Sequence, residues 1–267
     1  MTLVFAALLG IVQGLTEFLP VSSSAHLILA RALFGWDADA FGLAFDVACH
    51  VGTLLAVVIY FWNDLWAMVL ALPRIAGHDE DARRIRLIVV GTLPVVVVGL
   101  LFADAIEEGL RSPTVTIVTL SVGAVVFLIA ERLRPATRQA SSITMGEAVA
   151  FGCAQAAALV PGVSRSGATI SMGLLLGIQR AEAARFSFLL GVPAILAAAA
   201  KEGLHLVKTG MPADAVPLFL VGMITSAIVG YLTVRFFMRF LGGHRLDVFA
   251  GYRLALAAVV VVWLAMR

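Results

Sequence analysis

Hydrophobic residues run along this chain in long stretches that charged residues rarely interrupt. A helix needs about 20 mostly apolar residues to cross the ~30 Å hydrocarbon layer of a bilayer. Six stretches come close to this length and predict six membrane-spanning helices, at residues 41–62, 87–106, 113–130, 183–200, 216–234 and 247–266. The pattern therefore predicts an all-α integral membrane protein.

Two further apolar regions are too short to cross the bilayer. Residues 2–16 run into Glu17 and Pro20, and residues 148–163 are interrupted at Pro161. Each region is followed by a second short apolar helix, predicted at 24–35 and 166–178. We expect each pair to form a re-entrant hairpin, which enters the membrane, turns inside it and leaves on the same side. The predicted hairpins cover residues 2–35 and 147–178.

The two broken regions are related in sequence. A shift of 142 residues aligns them without a gap and superimposes seven identical residues. These pairs are Gly10–Gly152, Gln13–Gln155, Val21–Val163, Ser22–Ser164, Ser24–Ser166, Ile28–Ile170 and Gly35–Gly177. A unit of one hairpin and three crossings has an odd number of crossings, so its second copy lies upside down in the membrane. We therefore predict an inverted repeat within one structural domain, with halves at 1–140 and 141–267.

The positive charges of the predicted loops favour one orientation. With the N-terminus outside, the inside segments are 63–86, 131–146, 179–185 and 235–246. They carry twelve arginines, whereas the outside segments carry five Lys or Arg residues. Because cytoplasmic loops are enriched in Lys and Arg, we expect both termini outside and the two hairpin tips near the midplane.

Composition narrows the class of protein further. Charged residues make up 13% of the chain and hydrophobic residues 61%, against roughly 25% charged residues in soluble domains. A net charge of +2 without a basic run argues against a nucleic-acid binder. Cys49 and Cys153 lie in apolar stretches without metal-ligand or redox spacing, so we expect small buried hydrophobes. The first basic residue is Arg31, too late for a cleavable signal peptide, so we expect the start of the chain to stay.

Polar residues cluster at the tip of the first predicted hairpin. Gln13 and Glu17 are four residues apart and share a helix face. An ionised carboxylate inside a membrane needs compensation, either by a cation or by an arginine. His26 follows Ser23 by three residues, a spacing that lets a base activate a nucleophile. The plainer alternatives are a packed histidine and serines, such as Ser22, that cap the next helix.

The tip of the second hairpin has the chemistry of an anion site. Arg165 lies among Ser164, Ser166 and Thr169 at the start of a predicted helix. Helix N-termini and arginine side chains both bind phosphate oxygens. The alternatives are that Arg165 pairs with Glu17 or extends to the membrane surface. Together the two tips supply a carboxylate, a serine with a histidine and a guanidinium, which suit phosphoryl transfer.

Three other polar residues lie within predicted spans. Asp46 and His50 share a helix face and either support the site, carry protons or simply pair with each other. Arg253 begins the final span, where it either extends to the cytoplasmic surface or joins the anion pocket. The sequence leaves both questions open.

The two tip motifs resemble those of the undecaprenyl-diphosphate phosphatase family, the BacA or UppP bacitracin-resistance proteins. They read QGLTEFLPVSSSAH at 13–26 and PGVSRSGAT at 161–169, and the resemblance extends over essentially the whole chain. It implies hydrolysis of a polyisoprenyl diphosphate to the lipid monophosphate used in cell-wall synthesis, with Mg²⁺ or Ca²⁺. It also implies a multi-pass protein of the bacterial inner membrane whose pocket faces the outer side.

The resemblance assigns roles to individual residues. It implies Ser23 as nucleophile, His26 as base, and Glu17 with Gln13 as metal ligands, while Arg165 stabilises the reacting phosphate. The expected phosphate-binding residues are Ser22, Ser164, Ser166, Thr169 and Arg253. Many family members have Glu where Gln13 stands and Gly where Ala25 stands, which puts metal ligation by position 13 in question.

A different class of function stays open at this stage. Inverted repeats with broken helices also build secondary transporters, so a transporter or flippase of a polyprenyl phosphate or another anion is the alternative. The residues also allow either attack by Ser23 or direct attack by water. The sequence determines neither the lipid chain length nor the oligomeric state, and a homodimer is one option.

Overall fold

The computed structural model of the protein describes residues 2–35, 42–133, 135–209 and 215–266. The predicted start of the first span at residue 41, both chain ends and the loop arginine at 134 lie outside the described residues. Within them, the fold consists of α-helices joined by short turns, and one isolated bridge joins Arg138 to Ile178. The helices are α1 Leu3–Thr16, α2 Ser23–Phe34, α3 Leu43–Tyr60, α4 Trp62–Ala71, α5 Glu80–Leu110, α6 Pro113–Leu133, α7 Met145–Ala157, α8 Arg165–Leu175, α9 Arg180–Thr209, α10 Val216–Phe240 and α11 Asp247–Ala265.

Six of these helices are long and apolar enough to cross a membrane, namely α3, α5, α6, α9, α10 and α11. They confirm the predicted membrane protein with six long apolar helices. Their outer faces expose large apolar side chains, such as the stripe formed by Ile224, Ile228 and Leu232 on α10. Soluble proteins rarely expose contiguous apolar surface of this kind, whereas lipid tails cover it favourably.

The helix α5 begins seven residues earlier than the apolar pattern predicted. Asp79 caps it by accepting a hydrogen bond from the Ala82 N–H at 3.0 Å, and the acidic Glu80 and Asp81 occupy the first turn. Both features stabilise a helix start, and neither is apolar. A prediction based on hydropathy therefore misses this extension, and it also misses α4, which lies in the predicted loop 63–86.

The four short helices α1, α2, α7 and α8 occupy the two regions where the sequence predicted broken helices. Residues 142 apart adopt the same local conformation there. Ser22 and Ser164 have φ angles of 72° and 74°, and they are the non-glycine residues with positive φ in the described chain. Each caps the next helix, since their Oγ atoms accept hydrogen bonds from Ala25 N and Gly167 N. The similarity in sequence thus extends to the backbone of both turns.

Equivalent glycines let each short helix pack closely on a long one. Gly10 of α1 lies against the backbone of α10 at Gly222, and Gly152 of α7 lies against the backbone of α5 at Gly91. A Cβ atom at either position would overlap the carbonyl oxygen of the facing residue. Small residues allow this close approach between membrane helices.

A cluster of buried phenylalanines anchors the first turn. Phe18 directly follows Glu17 and is completely buried. Its ring packs edge to face on Phe188 of α9, with ring centroids 5.4 Å apart. Phe127, Phe151 and Phe237 belong to the same cluster, which therefore joins elements of both halves.

The two cysteines differ in their surroundings. Cys49 is buried, as expected, but Cys153 is exposed on α7, so the prediction for Cys153 was wrong. An exposed position on an apolar membrane helix suits a small apolar side chain as well as a buried one does.

Arg253 of α11 is entirely buried, and its guanidinium holds both turns to α6. Each of its five hydrogen bonds goes to a backbone carbonyl oxygen, at distances of 3.0–3.3 Å. The acceptors are Pro20 in the first turn, Gly162 and Val163 in the second, and Thr119 and Leu120 in α6. These bonds use all the donors of a guanidinium, so none is left for phosphate. Arg253 therefore neither reaches the membrane surface nor serves as a free phosphate ligand, which corrects both sequence-based interpretations.

Replacing Arg253 should destabilise the whole fold. In Arg253→Met, five buried carbonyl groups lose their donor, and we expect a fall in Tm of about 10 °C in detergent. Arg239→Met, at an exposed position of α10, is the control and should leave Tm unchanged. An unchanged Tm for Arg253→Met would contradict the structural role assigned to this residue.

Candidate active site

Glu17 lies at the centre of a buried polar cluster. It follows α1 directly, and 5% of its surface is exposed. Its Oε1 atom accepts a hydrogen bond from Arg165 Nη2 at 2.7 Å. Its Oε2 atom accepts bonds from Ser23 Oγ at 2.7 Å and Gln13 Nε2 at 2.9 Å, and His50 Nε2 lies 3.4 Å away. Side chains from α1, α2, α3 and α8 thus converge on one carboxylate.

The charge of Glu17 is balanced by Arg165. The sequence left a cation and an arginine as alternatives, and the structure shows the ion pair between the two tips. A buried carboxylate without a partner would cost several kcal/mol, so this pair fixes the relative position of the two turns. Ser23 and Arg165 are themselves 142 residues apart, so the same backbone position carries a hydroxyl in one turn and a guanidinium in the other.

The structure brings His50 into this cluster. Its Nδ1 atom lies 2.8 Å from the backbone oxygen of Asp46, so Nε2 is directed at Glu17. The Asp46 side chain does not pair with His50, because its carboxylate binds Arg31 and Arg111 instead. Sequence analysis found both residues but left open a pairing between them that the structure does not form.

His26 does not contact Ser23, contrary to the interpretation of their spacing. Its Nδ1 atom lies 2.7 Å from the Ser22 backbone oxygen, and its Nε2 atom lies 2.7 Å from the Tyr252 hydroxyl. The two rings also stack, with centroids 5.7 Å apart. Both ring nitrogens are therefore occupied, and Ser23 donates to Glu17 instead. Nothing in the apolar sequence of the final span pointed to Tyr252.

The hydroxyl groups of the second tip divide into two sets. Ser164 lines the same cavity as Arg165. Ser166 instead donates to the backbone oxygens of Glu17 and Leu19, at 3.3 and 3.2 Å. Thr169 is fully buried and donates to the Arg165 oxygen of its own helix at 2.7 Å. Ser166 and Thr169 therefore stabilise the turns and do not line the cavity, which corrects the expectation that they bind phosphate directly.

A cavity of about 220 Å³ opens next to the cluster, and its walls differ in character. The polar wall is formed by Glu17, Ser22, Ser23, Ser24, Ser164 and Arg165. The facing apolar wall is formed by Val95, Leu159, Ala194, Ile195 and Ala198. Such a cavity suits a ligand with an anionic head and an apolar chain.

Arg165 owes its position to a glycine of α9. Its guanidinium lies across Gly191, where a Cβ atom would overlap Nη1. The absence of a side chain at this position lets the guanidinium reach Glu17.

The donor set fits a divalent cation only together with a phosphate ligand. Among the described residues, no group of three or more His, Cys, Asp or Glu side chains could hold a metal ion. The Oε1 atom of Gln13 is buried without a partner, next to the Glu17 carboxylate. Because Mg²⁺ is usually held by one or two carboxylates plus substrate phosphates, Glu17 and Gln13 suit a cation that arrives with its ligand.

Comparison with known proteins agrees with this combination of motifs. The family model described as "Bacitracin resistance protein BacA" matches residues 6–259. The chain belongs to the BacA family. The match includes both turns and therefore every residue of the cluster around Glu17.

Curated members of the BacA family are similar over nearly the full chain. The protein of Rubrobacter xylanophilus named "Undecaprenyl-diphosphatase" is 49% identical over 264 residues, which cover 97% of each chain. The proteins of the same name from Thermodesulfovibrio yellowstonii and Thermomicrobium roseum are 42% and 43% identical. These alignments cover 96% of this chain, and 95% and 96% of the relatives.

Adding a methyl group at residue 191 should break the ion pair without removing a charge. Gly191→Ala pushes the guanidinium away from Glu17, and we expect a loss of about 2–4 kcal/mol of unfolding free energy. In the Arg165→Ala background the same substitution should cost less than about 0.5 kcal/mol, because nothing remains to be displaced.

The measurement is a double-mutant cycle by denaturant or thermal unfolding in detergent. Gly251→Ala is the matched control, because a Cβ at that position would meet no atom within 4 Å. Equal costs of Gly191→Ala in both backgrounds would show that Gly191 does not act through Arg165.

Proposed function

We propose that this protein is an undecaprenyl-diphosphate phosphatase, which releases inorganic phosphate and returns the lipid monophosphate for cell-wall synthesis. The observation that carries the proposal is the contact of Ser23 and Arg165 with the two oxygens of Glu17. A nucleophile, a proton acceptor and a phosphate-binding cation thereby lie within one hydrogen-bonded group. The names of the BacA relatives support this reading over a transporter or flippase of an anionic lipid.

The cluster is arranged for attack on phosphorus. Ser23 Oγ donates its proton to Glu17 Oε2 at 2.7 Å, so the carboxylate is in place to take that proton as the oxygen attacks. The bond between the terminal phosphorus and the bridging oxygen breaks, and its electron pair stays on the lipid monophosphate. Water then hydrolyses the phosphoserine and releases phosphate.

Arg165 and Ser164 stabilise the charge of the reacting phosphate. Among the described contacts, the Arg165 side chain donates one hydrogen bond, to Glu17. A guanidinium has five N–H donors, so the others remain free for equatorial phosphate oxygens. Ser164 lies next to it in the wall of the cavity and adds a hydroxyl.

The two histidines have different roles in this proposal. His50 lies beside Glu17 and helps to hold the proton that leaves Ser23. His26, which the family resemblance implied as the base, holds the backbone oxygen of Ser22 and so positions the start of α2. A divalent cation held by Glu17 and Gln13 would supply charge neutralisation on the diphosphate.

The helix arrangement supports a finer membrane topology. We propose two inverted halves, each with a re-entrant hairpin, in the bacterial inner membrane, with both termini and the mouth of the cavity on the outer side. In support, α1 of the first half packs on α10 of the second, and α7 of the second packs on α5 of the first. The loop arginines favour the same orientation.

Phosphate release tests the function directly. Purified protein in detergent, supplied with a polyprenyl diphosphate and Mg²⁺, should release inorganic phosphate. Arg165→Ala should lower kcat by about 10²- to 10³-fold, since it removes charge stabilisation at the reacting phosphate. Arg239→Ala, exposed on α10, is the control. Transport of the lipid monophosphate without phosphate release would favour the flippase, and a near-normal Arg165→Ala would contradict the site.

The covalent step has its own test. After an acid quench during turnover of a lipid diphosphate labelled on its terminal phosphate, label should be found on Ser23. Ser23→Ala should carry no label and show no turnover, whereas Ser121→Ala on α6 should behave as wild type. A fully active Ser23→Ala would establish direct attack by water, with Ser23 as a ligand only.

A further inference from the structure

Gln155 of α7 is buried without any hydrogen-bond partner. Its exposed fraction is 2%, and both its amide oxygen and its amide nitrogen lack a partner among the described residues. The side chain lines the cavity beside Glu17 and Arg165. Buried amides are almost always hydrogen-bonded, so a pair of unsatisfied atoms facing a cavity indicates a missing ligand.

The sequence repeat explains why the chain itself provides no partner. Gln155 is the counterpart of Gln13, 142 residues earlier, and both side chains are buried. Gln13 donates its amide to Glu17, four residues on. At the position equivalent to Glu17 the second half carries Leu159, which accepts no hydrogen bond. The amide has therefore kept its place while its carboxylate partner is absent.

The position of Gln155 separates it from the reacting end of the cavity. Ser23, Ser164 and Arg165 lie in the polar wall, where the terminal phosphate is attacked. Gln155 lies on the same helix face as Leu159 and belongs to the wall that is otherwise apolar. A lipid diphosphate has to cross from one wall to the other, and its lipid-linked phosphate lies between its two ends.

We propose that Gln155 binds the lipid-linked phosphate of the substrate, by donating hydrogen bonds from Nε2 to its oxygens. This inference rests on the proposed function and deepens it, because it assigns a residue to the part of the diphosphate that leaves with the lipid. When the bridging bond breaks, the electron pair goes to the oxygen of this phosphate. The amide then stabilises the group on which charge develops, and it also holds the monophosphate product.

The test separates binding from structural support. Gln155→Leu removes the amide and keeps the volume, and Gln155→Met is a second variant in case the first packs poorly. With farnesyl diphosphate as substrate, we expect KM to rise about 10- to 100-fold. The inhibition constant of farnesyl monophosphate should rise by a similar factor, while that of inorganic phosphate should not change.

The stability of the free protein provides the readout that a structural role would not give. Because the amide is unpaired, its replacement by an apolar side chain should leave Tm unchanged or raise it. The rise in Tm that farnesyl monophosphate produces in the wild type should shrink in Gln155→Leu, and this arm needs no turnover. Gln179→Leu is the control, since that exposed amide donates to Thr137 O away from the cavity.

Three results would overturn the proposal. Unchanged KM and unchanged monophosphate binding would mean that the amide holds only water. Weaker inhibition by inorganic phosphate, with monophosphate binding intact, would move Gln155 to the terminal phosphate. A fall in the Tm of both free variants would make the residue structural. A wild type that binds farnesyl monophosphate through Gln155 but releases no phosphate would contradict the proposed function and leave this inference standing.

Discussion

The ion pair between Glu17 and Arg165 is the interaction on which the candidate site depends. Each residue belongs to a different turn, and neither charge would be tolerated at such depth in an apolar protein without the other. The pair therefore does more than join two segments. It keeps a carboxylate and a guanidinium charged and oriented in a cavity of low polarity, where electrostatic stabilisation of a phosphate is strongest.

Irregular backbone inside a membrane protein has to find its hydrogen bonds within the protein. Arg253 supplies donors to carbonyl oxygens of both turns, and Ser166 adds further bonds to the first turn. The side chains of Ser22 and Ser164 satisfy amides at the starts of the following helices, despite their unusual positive φ angles. Much of the polar inventory of the two motifs is thus spent on holding the turns, and a smaller set is left for a ligand.

The two halves have kept one local structure and diverged in chemistry. At the first position of the second short helix, one half carries Ser23 and the other Arg165. At the end of the first short helix, one half carries Glu17 and the other Leu159. A symmetric framework thereby produces an asymmetric cavity, with a charged wall on one side and an apolar wall on the other. This asymmetry matches a substrate that is itself an anion at one end and a hydrocarbon at the other.

Hydropathy and motif spacing determined the long apolar helices, the two interrupted regions and the identity of Glu17, Ser23 and Arg165, because these features depend on neighbours along the chain. The tertiary structure decided which partners those residues choose. It placed His50 rather than His26 at the carboxylate, and it left Gln155 facing the cavity. It also turned Arg253 to backbone oxygens. These outcomes depend on distances between helices far apart in sequence, and a hydrogen bond forms with whichever group the packing brings within about 3 Å.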